Sequence, residues 1–258
     1  MTRPPNAFIL WFRMRFDIIK ALIASRLWRD IPSDIQAPVT VGNDFFGINI
    51  ATSNDPACDD YIINSLKQLK IKHIRMNFSY DSVDGDAERL LKRVLSEGFD
   101  VLLNLLPPKK DAALMSSHKM SQIEWRKFVK LVFERYHDKV SAFEIGNASN
   151  RKKWSGFKPD SYLMTWQIAH PLVKHYKIRL AGPNVSDFEP VYNIAYLKAM
   201  KRLNAMPKIH TDNLFVERVV EPEAYDHRVL GRWAEKWLKL NLIKKARILE
   251  SIGKKLGC

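Results

Sequence analysis

The sequence predicts an α/β fold: a TIM-type (β/α) barrel that is incomplete, with about six of the eight strand–helix units. Short apolar runs alternate with amphipathic stretches from residue 44 onward, which is typical of parallel strands joined by helices. The runs at 101–103 and 140–145 are largely apolar, as expected for strands buried on both faces. No glycine-rich phosphate loop follows the first strand, which favours a barrel over a doubly wound sheet.

Local signals mark the ends of several elements. Gly98 is the expected stop of one helix, Pro159 begins another in its first turn, and Ser121 is the expected N-cap of a capping box. Pairs containing proline, at 107–108 and 182–183, are expected to close the third and fifth strands. The predicted strands are 45–51, 71–78, 100–106, 140–146, 178–181 and 208–215, and the predicted helices are 59–69, 86–97, 121–136, 159–176, 189–203 and 230–256.

The chain divides into a basic amphipathic N-terminal helix with its linker, 1–40, and the incomplete barrel, 41–258. Arg13 and Arg15 interrupt the apolar run that a signal peptide needs, so a signal peptide is not predicted. Apolar residues recur at spacings of three and four instead, which predicts a helix over 8–29. Its apolar stripe suits either a membrane interface or the surface of the barrel, and both remain open. The stripe comprises Ile9, Phe12, Phe16, Ile19, Ile23 and Leu27.

The net charge of +14 is concentrated at the two ends. Residues 1–29 carry six basic side chains and one acidic, and 232–258 carry eight basic and two acidic. This predicts an anionic neighbour such as a membrane surface or lipopolysaccharide, or simply a solvated surface. No groove-reading motif is present, so no nucleic-acid partner is expected. We expect a cytoplasmic protein, with the inner face of the plasma membrane as an alternative, and leave the oligomeric state open.

The cysteine and histidine content argues against several classes of protein. Two cysteines are too few for a disulfide scaffold. The seven histidines are scattered, so no metal site is predicted, and no cofactor is expected.

The predicted strand ends are rich in amides and charged groups. At the carboxyl edge of a barrel such groups surround one mouth, which is where the active sites of barrels lie. Amides offer donors and acceptors, so the set predicts a carbohydrate ligand; asparagine also favours turns, which is the simpler explanation. The candidate substrate-binding residues are Asn49, Arg75, Asn77, Tyr80, Asp81, Asn104, Asn147, Ser149, Asn150, Trp154, His210, Asp212 and Asn213.

Three segments carry a resemblance to a known family. FGIN at 46–49, HIRMNFSY at 73–80 and FEIGN at 143–147 resemble motifs of the clan A glycoside hydrolases, especially the β-xylosidase and α-L-iduronidase-like members. The resemblance covers about 44–215. It implies a (β/α)8 barrel whose general acid/base follows the asparagine at the end of the fourth strand, and whose nucleophile ends the seventh.

The sequence departs from this family at both catalytic positions. Asn147 matches the family asparagine, but Ala148 stands where the acid/base belongs, and an alanine can neither donate nor accept a proton. No seventh strand is predicted to carry a nucleophile, so the chain resembles a C-terminally truncated, degenerate glycosidase of the kind encoded near bacterial lipopolysaccharide-core genes. Asp212 and Glu217 are the weak catalytic candidates. Glu144 is interpreted as an interior group paired with Arg75, or alternatively as a relocated acid.

The function that these observations favour is carbohydrate binding by a pseudoenzyme. It would be related to enzymes acting on cell-surface polysaccharide or lipopolysaccharide sugars, without hydrolase activity of its own. The loop 150–154 either meets sugar acids through Arg151 and Lys152 while Trp154 stacks on a ring, or is a solvated loop with one packed tryptophan. The alternative function is a peripheral membrane or lipopolysaccharide-assembly protein that uses its basic ends, with the barrel as scaffold.

Overall fold

The computed structural model describes residues 45–214 and 242–258, together with Ile9, Phe12, Arg13 and Phe16. These four residues are helical, as the predicted helix 8–29 requires. The remainder of that helix, Glu217 and the first part of the helix predicted at 230–256 lie outside the described residues.

In the described parts of the chain, six parallel strands form one sheet in the order β1-β2-β3-β4-β5-β6. Each strand therefore pairs with its neighbours in the sequence. Because parallel crossovers share one hand, this order puts the described helices that connect successive strands on one face and leaves the other face as the inside of a curled half-barrel. The predicted incomplete (β/α) barrel is confirmed. The strands are β1 Gly47–Ile50, β2 His73–Phe78, β3 Asp100–Leu105, β4 Ala142–Ile145, β5 Leu180–Ser186 and β6 Ile209–Asn213.

The helices follow the predicted alternation, with two short additions after β3 and β4. A 3₁₀ turn, Tyr80–Ser82, follows β2, and another at His170–Leu172 interrupts the predicted helix 159–176, where Pro171 lacks a backbone N–H. The α-helices are α1 Pro56–Gln68, α2 Asp86–Ser96, α3 Lys109–Leu114, α4 Lys119–Tyr136, α5 Lys152–Ser155, α6 Pro159–Ala169, α7 Val173–Tyr176, α8 Pro190–Arg202 and α9 Leu242–Leu256.

The start of α4 corrects the sequence prediction. His118, and not Ser121, is the N-cap, and its ring nitrogen accepts from the Ser121 backbone N–H at 3.3 Å. The Ser121 side chain lies inside the first turn and donates to Asp111 at 3.1 Å. A histidine nitrogen can serve here because it accepts a hydrogen bond as a serine oxygen does.

The fifth strand also differs from the prediction, which closed it at 182–183. β5 continues through the cis Gly182-Pro183 bond to Ser186, and every one of its residues is buried. The register shifts between Pro183 and Val185, so that Val185 pairs with Asp212 of β6. Such an irregularity lets a proline remain inside a paired strand, because the neighbouring residues take up the ladder.

The core lies between the sheet and the helices and is built on large aromatic side chains. Trp125 and Trp166 are completely buried, and each indole N–H donates to a backbone carbonyl, at 2.9 Å and 2.7 Å. α9 packs against α8 and β6 and buries Ile248, Leu249 and Ile252. Within the described residues, no helix is both long and apolar enough to cross a bilayer.

Candidate functional site

A cleft of about 550 Å³ opens at the carboxyl edge of the sheet. Its walls come from residues at or just beyond the ends of β2 to β6, the edge at which barrels form their binding sites. The lining residues are Ser79, Leu106, Pro107, Pro108, Lys109, Asn147, Ala148, Trp154, Ser155, Phe157, Ser186 and Asn213.

Trp154 gives the cleft an open aromatic wall. It lies on α5 and is 65% exposed, so the packed tryptophan of the solvated-loop alternative is not observed. The turn before it is held internally, because the Ser155 hydroxyl donates to the Ala148 carbonyl at 2.9 Å and the Arg151 N–H to the same carbonyl at 2.8 Å. The loop that carries the indole is therefore held in place by its own hydrogen bonds.

Gly156 joins this loop to the segment after β3. Its φ of +83° lies in the left-handed region, and a Cβ at this position would come within 2.2 Å of the Lys109 carbonyl oxygen. Only glycine allows this approach. The Lys109 side chain reaches back to the same loop and donates from Nζ to the Lys153 carbonyl at 2.6 Å.

A polar network lies on the inner face of the sheet. Arg75 Nε donates to Glu144 Oε2 at 2.7 Å, which confirms the predicted interior pair. The Glu144 side chain is only 1% exposed and that of Arg75 22%, so the pair is largely removed from water. Arg75 Nη1 also donates to Asn49 Oδ1 at 3.1 Å and to Asn77 Oδ1 at 3.3 Å. The buried Asn104 amide lies 2.9 Å from Asn77.

Asn184 connects this network to the loop that contains Asn147. Its amide nitrogen donates to Glu144 Oε1 at 2.8 Å, and its amide oxygen accepts from the Ala148 N–H at 3.1 Å. The residue has a left-handed φ of +49°, which asparagine tolerates better than most residues. Asn184 therefore fixes the backbone of Ala148 relative to Glu144.

Two predicted site residues, Ser149 and Asn150, and the neighbouring Arg151 stabilise the loop itself. Asn150 pairs with the backbone of Ser186, donating to its carbonyl at 3.0 Å and accepting from its N–H at 2.8 Å. Ser149 is buried, and its N–H donates to the Asn184 carbonyl at 3.1 Å. Arg151 binds Glu189 at 2.7 Å and also Asp187. Its guanidinium is thus engaged by protein carboxylates.

The carboxylates next to Arg151 have an unusual environment. Burial raises the pKa of Glu189 above its usual range, while the positive charge of Arg151 and a hydrogen bond with Asn150 oppose that rise. Burial dominates because Glu189 is only 5% exposed. Neither Glu189 nor Asp187 is among the residues that line the cleft.

His210 and Asp212 lie on the helix side of β6. Asn193 of α8 links them, accepting from His210 Nε2 at 2.7 Å and donating to Asp212 Oδ2 at 2.6 Å. Burial raises the pKa of Asp212 well above its usual range, against the hydrogen bond from Asn193, and burial lowers the pKa of His210. Both residues are absent from the lining of the cleft.

Tyr80 and Asp81 follow β2 in the 3₁₀ turn. Tyr80 packs its ring on Trp125 and Phe128, and burial, with the nearby negative charges of Asp111 and Glu124, raises the pKa of its hydroxyl. Asp81 is exposed. Neither residue lines the cleft.

The structure thus divides the predicted site into separate groups. Of the thirteen predicted residues, the cleft contains three, and the network beneath it contains four. The cleft also contains Ser79, Lys109 and Ser186, which were not predicted, although the two prolines after β3 marked the turn at which Lys109 lies. Among the described residues, no three His, Cys, Asp or Glu side chains are grouped to hold a metal ion. The cleft residues are Asn147, Trp154 and Asn213, and the network residues are Asn49, Arg75, Asn77 and Asn104.

The fold and the site define a class: an incomplete (β/α) barrel with a cleft at its carboxyl edge. No family model and no curated protein matches the chain. The chain is similar to the solved structure of an L-ribulose 3-epimerase, with a TM-score of 0.39 and 13% identity over 81% of this chain and 95% of that one. The resemblance to the clan A glycoside hydrolases rests on three sequence motifs, and no family model shows it.

Proposed function

We propose that this protein binds a carbohydrate in the cleft and does not hydrolyse it. The observation that supports the proposal is the exposed Trp154 ring in the wall of a cleft whose other groups are mainly amides, hydroxyls and apolar carbons. A volume of about 550 Å³ lies within the usual range of small-molecule sites.

Each part of the cleft has a counterpart in a sugar. The C–H face of a pyranose ring is apolar and can lie on an indole, whose flat surface contributes a large contact area. The ring hydroxyls each need a donor and an acceptor, and the amides of Asn147 and Asn213 offer both. The hydroxyls of Ser79 and Ser186 supply further groups of the same kind.

Binding is favoured over hydrolysis because the catalytic carboxylates are missing from the described lining. Glycosidases generally use a pair of carboxyl groups flanking the scissile bond. The residues that line the described cleft include no Asp or Glu, and the acid/base position holds Ala148. Glu144 is the nearest equivalent in sequence, but Arg75 and Asn184 engage its two oxygens.

The experiment for this proposal is the replacement Trp154→Ala, followed by titration with a panel of oligosaccharides. We expect affinity to fall about 10-fold or more, since the stacked ring and its buried area are lost. Calorimetry measures the affinity in both proteins. Tyr61→Ala is the matched control, because Tyr61 is 75% exposed on α1 and does not line the cleft. Equal loss in both variants, or no saccharide bound by the unchanged protein, would contradict the proposal.

A second candidate function is association with an anionic membrane. Ile9, Phe12 and Phe16 are spaced at three and four residues, are helical, and are exposed at 43%, 60% and 51%. Exposed apolar side chains at this spacing in a basic segment suit the interface of an anionic bilayer.

We expect vesicles containing anionic lipid to bind the protein in flotation, and Phe12→Ser to weaken that binding. Phe46→Ser, which removes another exposed ring, is the control; absence of binding at low salt would exclude this function.

A further inference from the structure

Three lysines surround the tryptophan wall of the cleft. Lys109 lines the cleft from the segment after β3, and Lys152 and Lys153 are next to Trp154 on α5. All three side chains are exposed. We call Lys109, Lys152 and Lys153 the basic rim.

The charge of the basic rim is not neutralised within the described parts of the chain. The Lys109 ammonium donates to a neutral carbonyl, that of Lys153, and none of the three lysines forms an ion pair with a described carboxylate. Some exposed lysines elsewhere do form ion pairs: Lys67 binds Glu97 at 2.5 Å and Lys127 binds Glu124 at 3.0 Å. What distinguishes the basic rim is its place, because its three unpaired positive charges lie beside the exposed Trp154 ring of the cleft.

The nearby carboxylates reinforce this arrangement. Asp187 and Glu189 are the acidic residues that follow β5, and both are held by Arg151. They contribute nothing to the described lining of the cleft, whose one charged side chain is Lys109. The cleft thus combines an aromatic wall, polar groups and a net positive charge.

The backbone and the side chain of Lys109 are both held in place by contacts with the loop that carries Trp154. Its carbonyl is held against Gly156, and one of the three ammonium protons is used by the Lys153 carbonyl at 2.6 Å. An ammonium has three donors, so two remain for a ligand in the cleft. A charged oxygen is the acceptor that gains most from such a donor.

We infer that the cleft selects an anionic saccharide, whose carboxylate or phosphate group meets the Lys109 ammonium while its ring lies on Trp154. This inference rests on the proposed carbohydrate binding and adds the class of sugar. A uronic acid and a sugar phosphate present the same chemistry, a negatively charged oxygen on a polyhydroxylated ring, and the test separates them.

The test compares two pairs of probes by calorimetry on the complete chain: a tetragalacturonate with the neutral galactose tetramer of the same linkage, and galactose 6-phosphate with galactose. We expect the charged member of at least one pair to bind about 10-fold more tightly than its neutral counterpart at low salt, with the difference falling as salt is added. The pair that shows the preference identifies the carboxylate or the phosphate as the group recognised.

Lys109→Gln is expected to abolish this preference while weak binding of the neutral sugar persists. Lys110→Gln, an exposed neighbour on α3 that does not line the cleft, is the matched control and should retain the preference. If neutral and charged sugars bind equally, or if both variants retain the preference, this inference is overturned and the proposed function stands. If no probe binds and Trp154→Ala changes nothing, the proposed function fails as well.

Discussion

Replacing Arg75 by methionine is expected to lower the free energy of unfolding by about 3–5 kcal/mol. Arg75 holds Glu144 through two guanidinium nitrogens, at 2.7 Å each, and Glu144 is almost completely buried. Without the guanidinium, a carboxylate would remain in a poorly solvated position, which is far less favourable than losing both charges. Urea unfolding followed by circular dichroism at pH 7 measures the change.

Two further variants decide whether burial is the cause. Arg93→Met removes the same group from an exposed pair with Asp60, in which the side chains are 38% and 64% exposed, and should lower the stability by less than about 1 kcal/mol. The double variant Arg75→Met with Glu144→Met should recover much of the loss, because no buried charge is left. Similar losses for Arg75→Met and Arg93→Met would contradict this explanation.

Replacing Glu88 by glutamine is expected to remove much of the acid sensitivity of the fold. Burial by itself would raise the pKa of Glu88, but hydrogen bonds from Tyr136, the Asp84 N–H, Arg135 and Lys92 outweigh it and lower the pKa from 4.5 to about 2. The Asp84 N–H lies 2.5 Å from Glu88 Oε2, and the side chain is 1% exposed. Glu88 thereby connects α2 to α4 through its hydrogen bonds with Arg135 and Tyr136.

The sign of the effect follows from the lowered pKa. The unfolded chain binds a proton at Glu88 more readily than the folded protein, so the stabilisation is complete above about pH 4.5 and disappears as pH falls toward 2. The change corresponds to about 3 kcal/mol. We therefore expect Glu88→Gln to be less stable at pH 7 by a similar amount, with a flatter pH dependence below pH 5.

Urea midpoints at pH 7, 5, 4 and 3 test this expectation. Glu134→Gln is the matched control, because that carboxylate is 47% exposed and pairs with Lys130 at 3.5 Å on the surface of α4. It should change the stability by less than about 1 kcal/mol at each pH. Parallel pH curves for Glu88→Gln and the unchanged protein would show that Glu88 is not the titrating group.

The inner network of the site could be predicted because it depends on strand periodicity. Alternate residues of a strand point to the same face, so Arg75 and Asn77 share a side. Glu144 faces them because the parallel register aligns Asn77 with Asn104, and Asn104 with Glu144. A period of two and a parallel sheet were sufficient to predict the Arg75–Glu144 pair.

The same periodicity could not decide which face other residues occupy. His210 and Asp212 share a side of β6, as alternation requires, but that side faces α8 and not the cleft. The choice depends on how β6 pairs with β5, where the register shifts between Pro183 and Val185. A displacement of one residue reverses the faces of a strand, and nothing local in 208–215 fixes it.

The sequence by itself determined the alternation of strands and helices, the parallel sheet and the polar character of the strand ends, because these follow from short-range periodicity and from residues that begin or end elements. The tertiary structure decided where the cleft lies, that Trp154 is open to it, and that Lys109 joins its rim. Those features arise where the segment that contains Lys109 contacts the loop that contains Lys153 and Gly156, and the two are far apart in the chain. Their meeting depends on how whole strand–helix units pack, which no local pattern encodes.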